Sequence, residues 1–216
     1  MLTTNILQRV FKIRYNDNYG TAYTIEKGYN QFLVTAWHIF DNASDINEIE
    51  IYHNNQWNRL KVEVAHNFLD DIDVIVFRLE YDLSPKYEVE IGMQNIIYGT
   101  WAYFLGFPFG ISHDDGGINK GYPIPFIKAA LISNIKLEGH GYNTVFLDGH
   151  NNKGFSGGPA IWIPPNSKKI QIIGTVTEYK TEHPIHHKTK EELPNFEYNA
   201  GIVIVKNIQN ILDFLS

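Results

Sequence analysis

The chain of 216 residues contains no cysteine, so neither a disulfide framework nor thiolate chemistry is available to it. That absence fits a reducing compartment. Basic residues are also scarce: 18 Lys and Arg stand against 24 Asp and Glu, for a net charge of −6. Binding to phosphate backbones needs a dense Lys/Arg surface, and no such cluster occurs, so nucleic acid is not the expected partner. No apolar run approaches the roughly 20 residues that span a bilayer, so no membrane association is expected. The first eleven residues, Met1 to Phe11, lack a basic head, an uninterrupted apolar stretch and a small-residue cleavage site. They do not read as a signal peptide, and a soluble cytoplasmic protein is expected. Repeats, low-complexity tracts and long linkers are missing as well.

What the sequence does have is a supply of short apolar or alternating segments that end at Gly, Asn, Asp or Pro, the pattern of an all-β protein. Apolar residues make up 44%, and Tyr and Phe number 13 each, side chains that pack well on pleated sheets. Gly20-Thr-Ala-Tyr-Thr-Ile and Gln31-Phe-Leu-Val-Thr-Ala read as strands. Ile49, Ile51, Leu60, Val62 and Val64 alternate with polar residues on either side of Asn54-Asn55, which predicts a hairpin with one buried face. Asp73-Val-Ile-Val-Phe-Arg-Leu follows as another buried strand. A polar stretch around Leu83-Ser-Pro-Lys-Tyr-Glu separates this half from six further strands beginning near Thr100, Phe126, Thr144, Pro159, Ile170 and Gly201. Ile208, Ile211, Leu212 and Leu215 then repeat at spacings of three and four, which predicts a short amphipathic C-terminal helix. The expected architecture is two six-stranded antiparallel β-barrels plus that helix, one domain over residues 1–216. Its parts are an N-terminal barrel over 1–85, a C-terminal barrel over 86–205 and the helix over 206–216.

Three motifs carry chemistry. Thr35-Ala-Trp-His38 ends an almost wholly apolar strand, which can hold a general base rigidly at the rim of a cleft. An isolated histidine is more often structural, and the sequence has nine. Asp73 opens the next apolar strand, where a carboxylate is costly unless it accepts hydrogen bonds; a histidine Nδ1–H would provide one. Asp70 and Asp71 compete for that role. In Gly154-Phe-Ser-Gly-Gly-Pro159, a serine sits among glycines. Gly154 can turn its N–H towards a reacting oxyanion, Ser156 N–H supplies a second donor, and Gly157 and Gly158 permit close backbone packing behind the serine. The order His38, Asp73, Ser156 is that of the chymotrypsin arrangement, with the first two in the first barrel and the serine in the second.

With these residues in view, the chain resembles the trypsin-like peptidase superfamily, closest to the bacterial HtrA/Deg-like branch. The resemblance covers Gly20, Thr35-Ala-Trp-His38, Asp73-Val-Ile-Val, Gly106-Phe-Pro-Phe-Gly110, Gly154-Phe-Ser-Gly-Gly-Pro159, Ile173-Gly-Thr-Val and Ala200-Gly-Ile-Val. It implies a chymotrypsin-like double barrel and peptide-bond hydrolysis through an acyl-enzyme on Ser156, acting on protein or peptide substrates with no cofactor and no metal. It also selects Asp73 over Asp71. Phe155 replaces the aspartate that animal trypsins pair with a newly released N-terminus, so regulation is expected from an activating protein partner or a loop rearrangement. The chain ends after the helix, where HtrA-like enzymes continue into a PDZ domain, and a bare protease domain is expected. Counting along the family pattern puts His150 at the base of the primary specificity pocket, with Asp148 as a rival, and Thr177, Glu178 and Tyr179 along one wall.

Other readings are weaker. Gly154-Phe-Ser-Gly-Gly158 also fits the nucleophile elbow of α/β-hydrolase esterases, but a loop rather than a strand leads into it, and no histidine follows Asp213. His183, His186 and His187 lie in a charged insertion over 180–197, where a solvated loop explains the composition better than zinc. The alternative from another class is a double-barrel binding scaffold that does not cleave.

Overall fold

The computed structural model describes all residues except 1, 2, 42, 44, 69–71, 114–116, 138–142, 168 and 216. A single turn of helix, α1 (Thr4–Leu7), leads into the first sheet. Its strands are β1 (Val10–Tyr15), β2 (Asn18–Lys27), β3 (Asn30–Ala36), β4 (Glu48–His53), β5 (Gln56–Lys61), β6 (Glu63–Phe68) and β7 (Val74–Arg78). They lie in the order β5-β4-β1-β2-β3-β7-β6. The edge strands β5 and β6 are consecutive, with only Val62 between them. One chain segment therefore turns a corner and serves both edges of a half-barrel. The β4–β5 hairpin forms where expected: Asn54 and Asn55 both have positive φ, 52° and 61°, as a tight two-residue turn between right-twisted strands requires.

The second sheet is built from β8 (Glu90–Ile91), β9 (Trp101–Gly106), β10 (Phe126–Leu137), β11 (Asn143–Asp148), β12 (Pro159–Trp162), β13 (Gln171–Glu182) and β14 (Tyr198–Asn207). Its order is β12-β9-β10-β11-β14-β13-β8, and β12 also pairs with β13. Six strands thus close on themselves, while β8 adds to β13 in parallel. The architecture is the double barrel expected, with a closed second barrel and an open first one.

Three apolar clusters hold it together. Phe11, Ile13, Leu33, Phe40 and Phe77 fill the first barrel; Phe104, Ile132, Leu147, Phe155 and Trp162 fill the second. A third cluster lies between them and draws on both, with Val10, Tyr23, Val34 and Val76 facing Leu105, Phe107 and Ile172. Side chains of this size each contribute about 1.5–3 kcal/mol when fully buried, so docking of the barrels is as much a part of the fold as either barrel alone. Tyr23 Oη and Thr175 Oγ1, both fully buried, add a hydrogen bond of 2.8 Å across the seam.

The C-terminal helix, α2 (Gln209–Leu212), is a single turn. It is shorter than the apolar spacing predicts: Asn207 stays in β14 opposite Gly174, and beyond Leu212 the chain continues in i→i−3 turns, with Phe214 N–H donating to Ile211 O and Leu215 N–H to Leu212 O. Ile208, Ile211 and Leu215 are nonetheless buried in the inter-barrel cluster. The polar connector near Leu83 is not loose. Gln31 Oε1 accepts the N–H groups of Leu83 and Ser84 at 2.7 and 3.1 Å. The buried Arg9 pairs with Glu26 at 2.6 Å and donates to Tyr87 O.

Candidate active site

β3 runs through the core and ends in a short 3-10 turn over Trp37–Phe40. That turn brings His38 out to a side-chain exposure of 48%. β7 is the neighbour of β3, with Ala36 opposite Val74. The ladder continues one step further through a hydrogen bond from Trp37 N–H to Asp73 O, 3.1 Å. Asp73 sits at the head of β7 with a left-handed backbone, φ 53°, a conformation that Asp tolerates better than most residues. Its carboxylate meets His38 twice: Oδ1 accepts the backbone N–H at 2.8 Å, and Oδ2 lies 2.6 Å from Nδ1. With Nδ1–H donating, Nε2 carries the lone pair. The competing Asp70 and Asp71 lie outside the described residues.

Burial acts to lower the His38 pKa. The hydrogen bond and charge of Asp73, with the charge of Glu178 behind them, outweigh it, and the net result is a pKa raised above the ordinary 6.5.

Ser156 arrives from the other barrel. Gly157, beside it, packs on the end of β3 so closely that a Cβ there would come within 2.8 Å of Ala36 N. Its φ of +83° would strain any other residue as well. The loop that carries Ser156 is therefore pressed against the strand that delivers His38.

Buried peptide groups are nearly always paired, and the backbone of this loop departs from that rule at two N–H groups. All four carbonyl oxygens from Lys153 to Ser156 are held. Phe109 N–H donates to Lys153 O at 2.8 Å, and Gly158 N–H to Phe155 O at 2.9 Å. From the first barrel, Thr21 Oγ1 donates to Gly154 O at 2.6 Å and Thr21 N–H to Ser156 O at 2.9 Å. Phe155 and Gly157 N–H donate to Asn152 O and Val176 O. Among the described residues, the N–H groups of Gly154 and Ser156 have no acceptor. In a trans peptide the N–H points opposite to the C=O, so fixing Lys153 O and Phe155 O also aims these two donors. Gly154 is required here: its φ is +101°, and a Cβ would collide with the Phe107 carbonyl. Two aimed, unpaired donors flanking a serine are what a developing oxyanion needs.

Ser156 Oγ donates to Thr177 O at 3.4 Å, and no hydrogen bond among the described residues joins it to His38. Of the four pocket candidates, the structure brings two to the site. Thr177 is the carbonyl partner of the serine, with its own Oγ1 buried and unpaired among the described residues. Glu178 acts electrostatically on His38. Tyr179 is half-buried in the β13–β14 ladder opposite Val203. The His150 side chain is exposed, and its carbonyl accepts Lys128 Nζ at 2.6 Å. Asp148 is exposed at the end of β11. The insertion over 180–197 begins in the last residues of β13 and leads into β14 at Tyr198, and His183 Nδ1 lies 2.8 Å from Phe196 O.

Sequence reasoning did not single out Thr21 or Phe109, the residues that hold the loop from outside. Both lie within quoted motifs, Gly20-Thr-Ala and Gly106-Phe-Pro-Phe-Gly110, but only the docked barrels show what they touch.

The family model of the trypsin-like peptidase domain matches residues 20–162. Among solved structures, an inactive form of Rv3671c from M. tuberculosis H37Rv is similar at a TM-score of 0.60 and 16% identity, over 97% of this chain and 86% of that one. The HtrA-type protease AlgW with a tripeptide is similar at a TM-score of 0.62 and 16% identity, over 97% of this chain and 60% of that one. At these identities the structures speak for the fold. No curated protein matches the sequence.

Proposed function

Because this chain belongs to the trypsin-like peptidase domain family, we propose that it is a serine endopeptidase whose catalytic triad is His38, Asp73 and Ser156. Ser156 Oγ attacks the scissile carbonyl carbon while His38 Nε2 takes its proton. The N–H groups of Gly154 and Ser156 receive the oxyanion, and the Asp73 carboxylate orients the ring and stabilises the imidazolium. When the tetrahedral intermediate collapses, the C–N bond breaks and His38 returns the proton to the leaving amine. Water then repeats the sequence on the acyl-enzyme.

The observation that carries this reading is the pairing pattern of the nucleophile loop. Every carbonyl from Lys153 to Ser156 is held, two N–H groups are left without an acceptor among the described residues, and a hydrogen-bonded His–Asp pair stands across the seam. A substrate strand alongside β13 would offer its own N–H to Thr177 O. That would release the serine hydroxyl to turn towards His38. The lack of cysteine supports a cytoplasmic setting.

The hydrogen bond from Ser156 to Thr177 O is the one feature that favours the second reading, a scaffold that binds without cleaving. A fluorophosphonate probe separates the two. Labelling of the isolated chain at Ser156, lost in His38→Ala, is the expected result. Labelling that appears only with a co-purifying protein would identify the activating partner. No labelling at any pH from about 6 to 9, alone or with candidate partners, would leave the scaffold.

A further inference from the structure

The face of the first sheet that docks on the second barrel does not stop at the seam. The β1–β2 register pairs Val10 with Tyr23 and Lys12 with Thr21, and directly opposed residues of an antiparallel pair project from the same face. Val10 and Tyr23 bury that face between the barrels. Thr21 uses it to hold Gly154 O. Lys12 rises from the same face, one strand further from the nucleophile loop. The β1–β4 register brings Tyr52 alongside Lys12, and Trp57 stands opposite Tyr52 on β5. Thr21, Lys12, Tyr52 and Trp57 thus form one row across four strands, starting at the loop that carries Ser156.

Lys12 Nζ lies 5.0 Å from the centre of the Tyr52 ring and 5.2 Å from that of Trp57. On the loop side, a Cβ on Gly110 would be 4.0 Å from it. The neighbouring cations have counter-charges: Arg14 binds both oxygens of Glu50 at 2.7 Å, and Arg59 lies 3.6 Å from Glu48. Among the described residues, the Lys12 ammonium has no carboxylate. Burial first, and Arg14 second, lower its pKa, the sign expected of a cation without an anion beside it. The rings position this charge without neutralising it, on a protein whose net charge is −6.

The direction of the substrate follows from the proton. The leaving amine must take its proton from His38, which belongs to the first barrel, so the leaving-group half of the peptide exits over that barrel. Ser156 is bonded to β13 through Thr177 O and to β2 through Thr21 N–H. A peptide that leaves β13 at the serine is therefore directed along the row that starts under the loop at Thr21 and emerges at Lys12.

We propose that Lys12 recognises a carboxylate on the leaving-group side of the substrate, so that this protein prefers peptides with an acidic group shortly after the scissile bond. This rests on the serine endopeptidase reading. With strands about 4.8 Å apart and an extended peptide rising about 3.3 Å per residue, the carboxylate falls within about three residues of the cleaved bond. It comes either from an Asp or Glu side chain or from the end of a chain.

Three quenched fluorogenic peptides distinguish these cases: one with Glu after the scissile bond and an amidated end, one with Gln and an amidated end, and one with Gln and a free C-terminal carboxylate. An ion pair at a partly exposed site is expected to raise kcat/KM about 2–5-fold over the neutral peptide and to weaken in high salt. The ratio should fall to about one in Lys12→Met and invert in Lys12→Glu. A gain confined to the free-carboxylate peptide would assign the source to the chain end. Anisotropy of the same labelled peptides bound to Ser156→Ala reads the preference without turnover. If fluorophosphonate fails to label the wild type both alone and with candidate partners, the hydrolase reading falls. If labelling succeeds but Lys12→Met leaves the ratio unchanged in both assays, or the wild type shows no preference, the Lys12 assignment falls alone.

Discussion

Thr21→Val tests whether the first barrel holds the Ser156 loop in the shape that the proposed reaction needs. Valine keeps the volume and the backbone N–H bond to Ser156 O, and removes only the hydroxyl. That hydroxyl donates to Gly154 O at 2.6 Å and accepts Phe107 N–H at 3.1 Å, with Thr21 fully buried. Two polar groups are left without a partner, each at about 1–3 kcal/mol, so a total of about 2–4 kcal/mol is expected once local relaxation is allowed. For a chain of this size that lowers Tm by roughly 5–12 °C. Part of the loss falls on the conformation that aims the Gly154 and Ser156 N–H groups. If about 1.4 kcal/mol does so, labelling by fluorophosphonate slows about tenfold. The second-order rate of labelling, measured well below the shifted Tm, checks this. Thr21→Ser keeps both hydrogen bonds and should label within about threefold of the wild type. Equal labelling rates for the Val, Ser and wild-type proteins would refute the idea that this hydroxyl organises the loop.

Other outcomes follow from the same geometry. Ser156→Ala should abolish labelling and reduce turnover by about 10⁶-fold with an unchanged circular dichroism spectrum. Gly154→Ala, which places a methyl group against the Phe107 carbonyl and strains a φ of +101°, should lower kcat by about 10²–10³ with little change in KM; a wild-type kcat would mean that Gly154 N–H is not a donor to the oxyanion. In the proposed mechanism His38 must be neutral to act as base, and its pKa is raised, so kcat/KM should climb with pH through a midpoint above 6.5. Glu178→Gln removes one of the charges that stabilise the imidazolium, so that midpoint should move down; an upward shift would contradict the placement of Glu178.

Much of this was legible in the residues. The strand ending at His38, the strand beginning at Asp73 and the glycine pattern around Ser156 are local signals, fixed by burial and backbone freedom, and the structure keeps them as strand ends and a tight loop. The Asn54-Asn55 hairpin was equally local. The role of Thr21 was not, because its partner Gly154 lies in the other barrel, and nothing in the neighbourhood of either residue encodes their docking. β1 is hard to read for a different reason. Phe11 and Ile13 alternate with Lys12 and Arg14, but those cations emerge on a face whose meaning depends on the second barrel. The terminal helix is shorter than its apolar spacing implies, since the last turn tightens to i→i−3 bonds at Phe214 and Leu215, and apolar spacing does not distinguish the two kinds of turn. His150 shows the limit of counting along a motif. A position six residues before the serine says nothing about which way the side chain turns once Lys128 holds the carbonyl.

The loop that bears the serine is held from both sides of the molecule, by Phe109 in its own half and by Thr21 in the other. Neither half, produced by itself, would then contain a working centre, even though one carries the intact Gly154-to-Pro159 segment. Separately expressed fragments cut within the connector near Leu83 should be inert apart and regain hydrolysis on mixing. Turnover would then serve as a reporter of whether the two pieces have met.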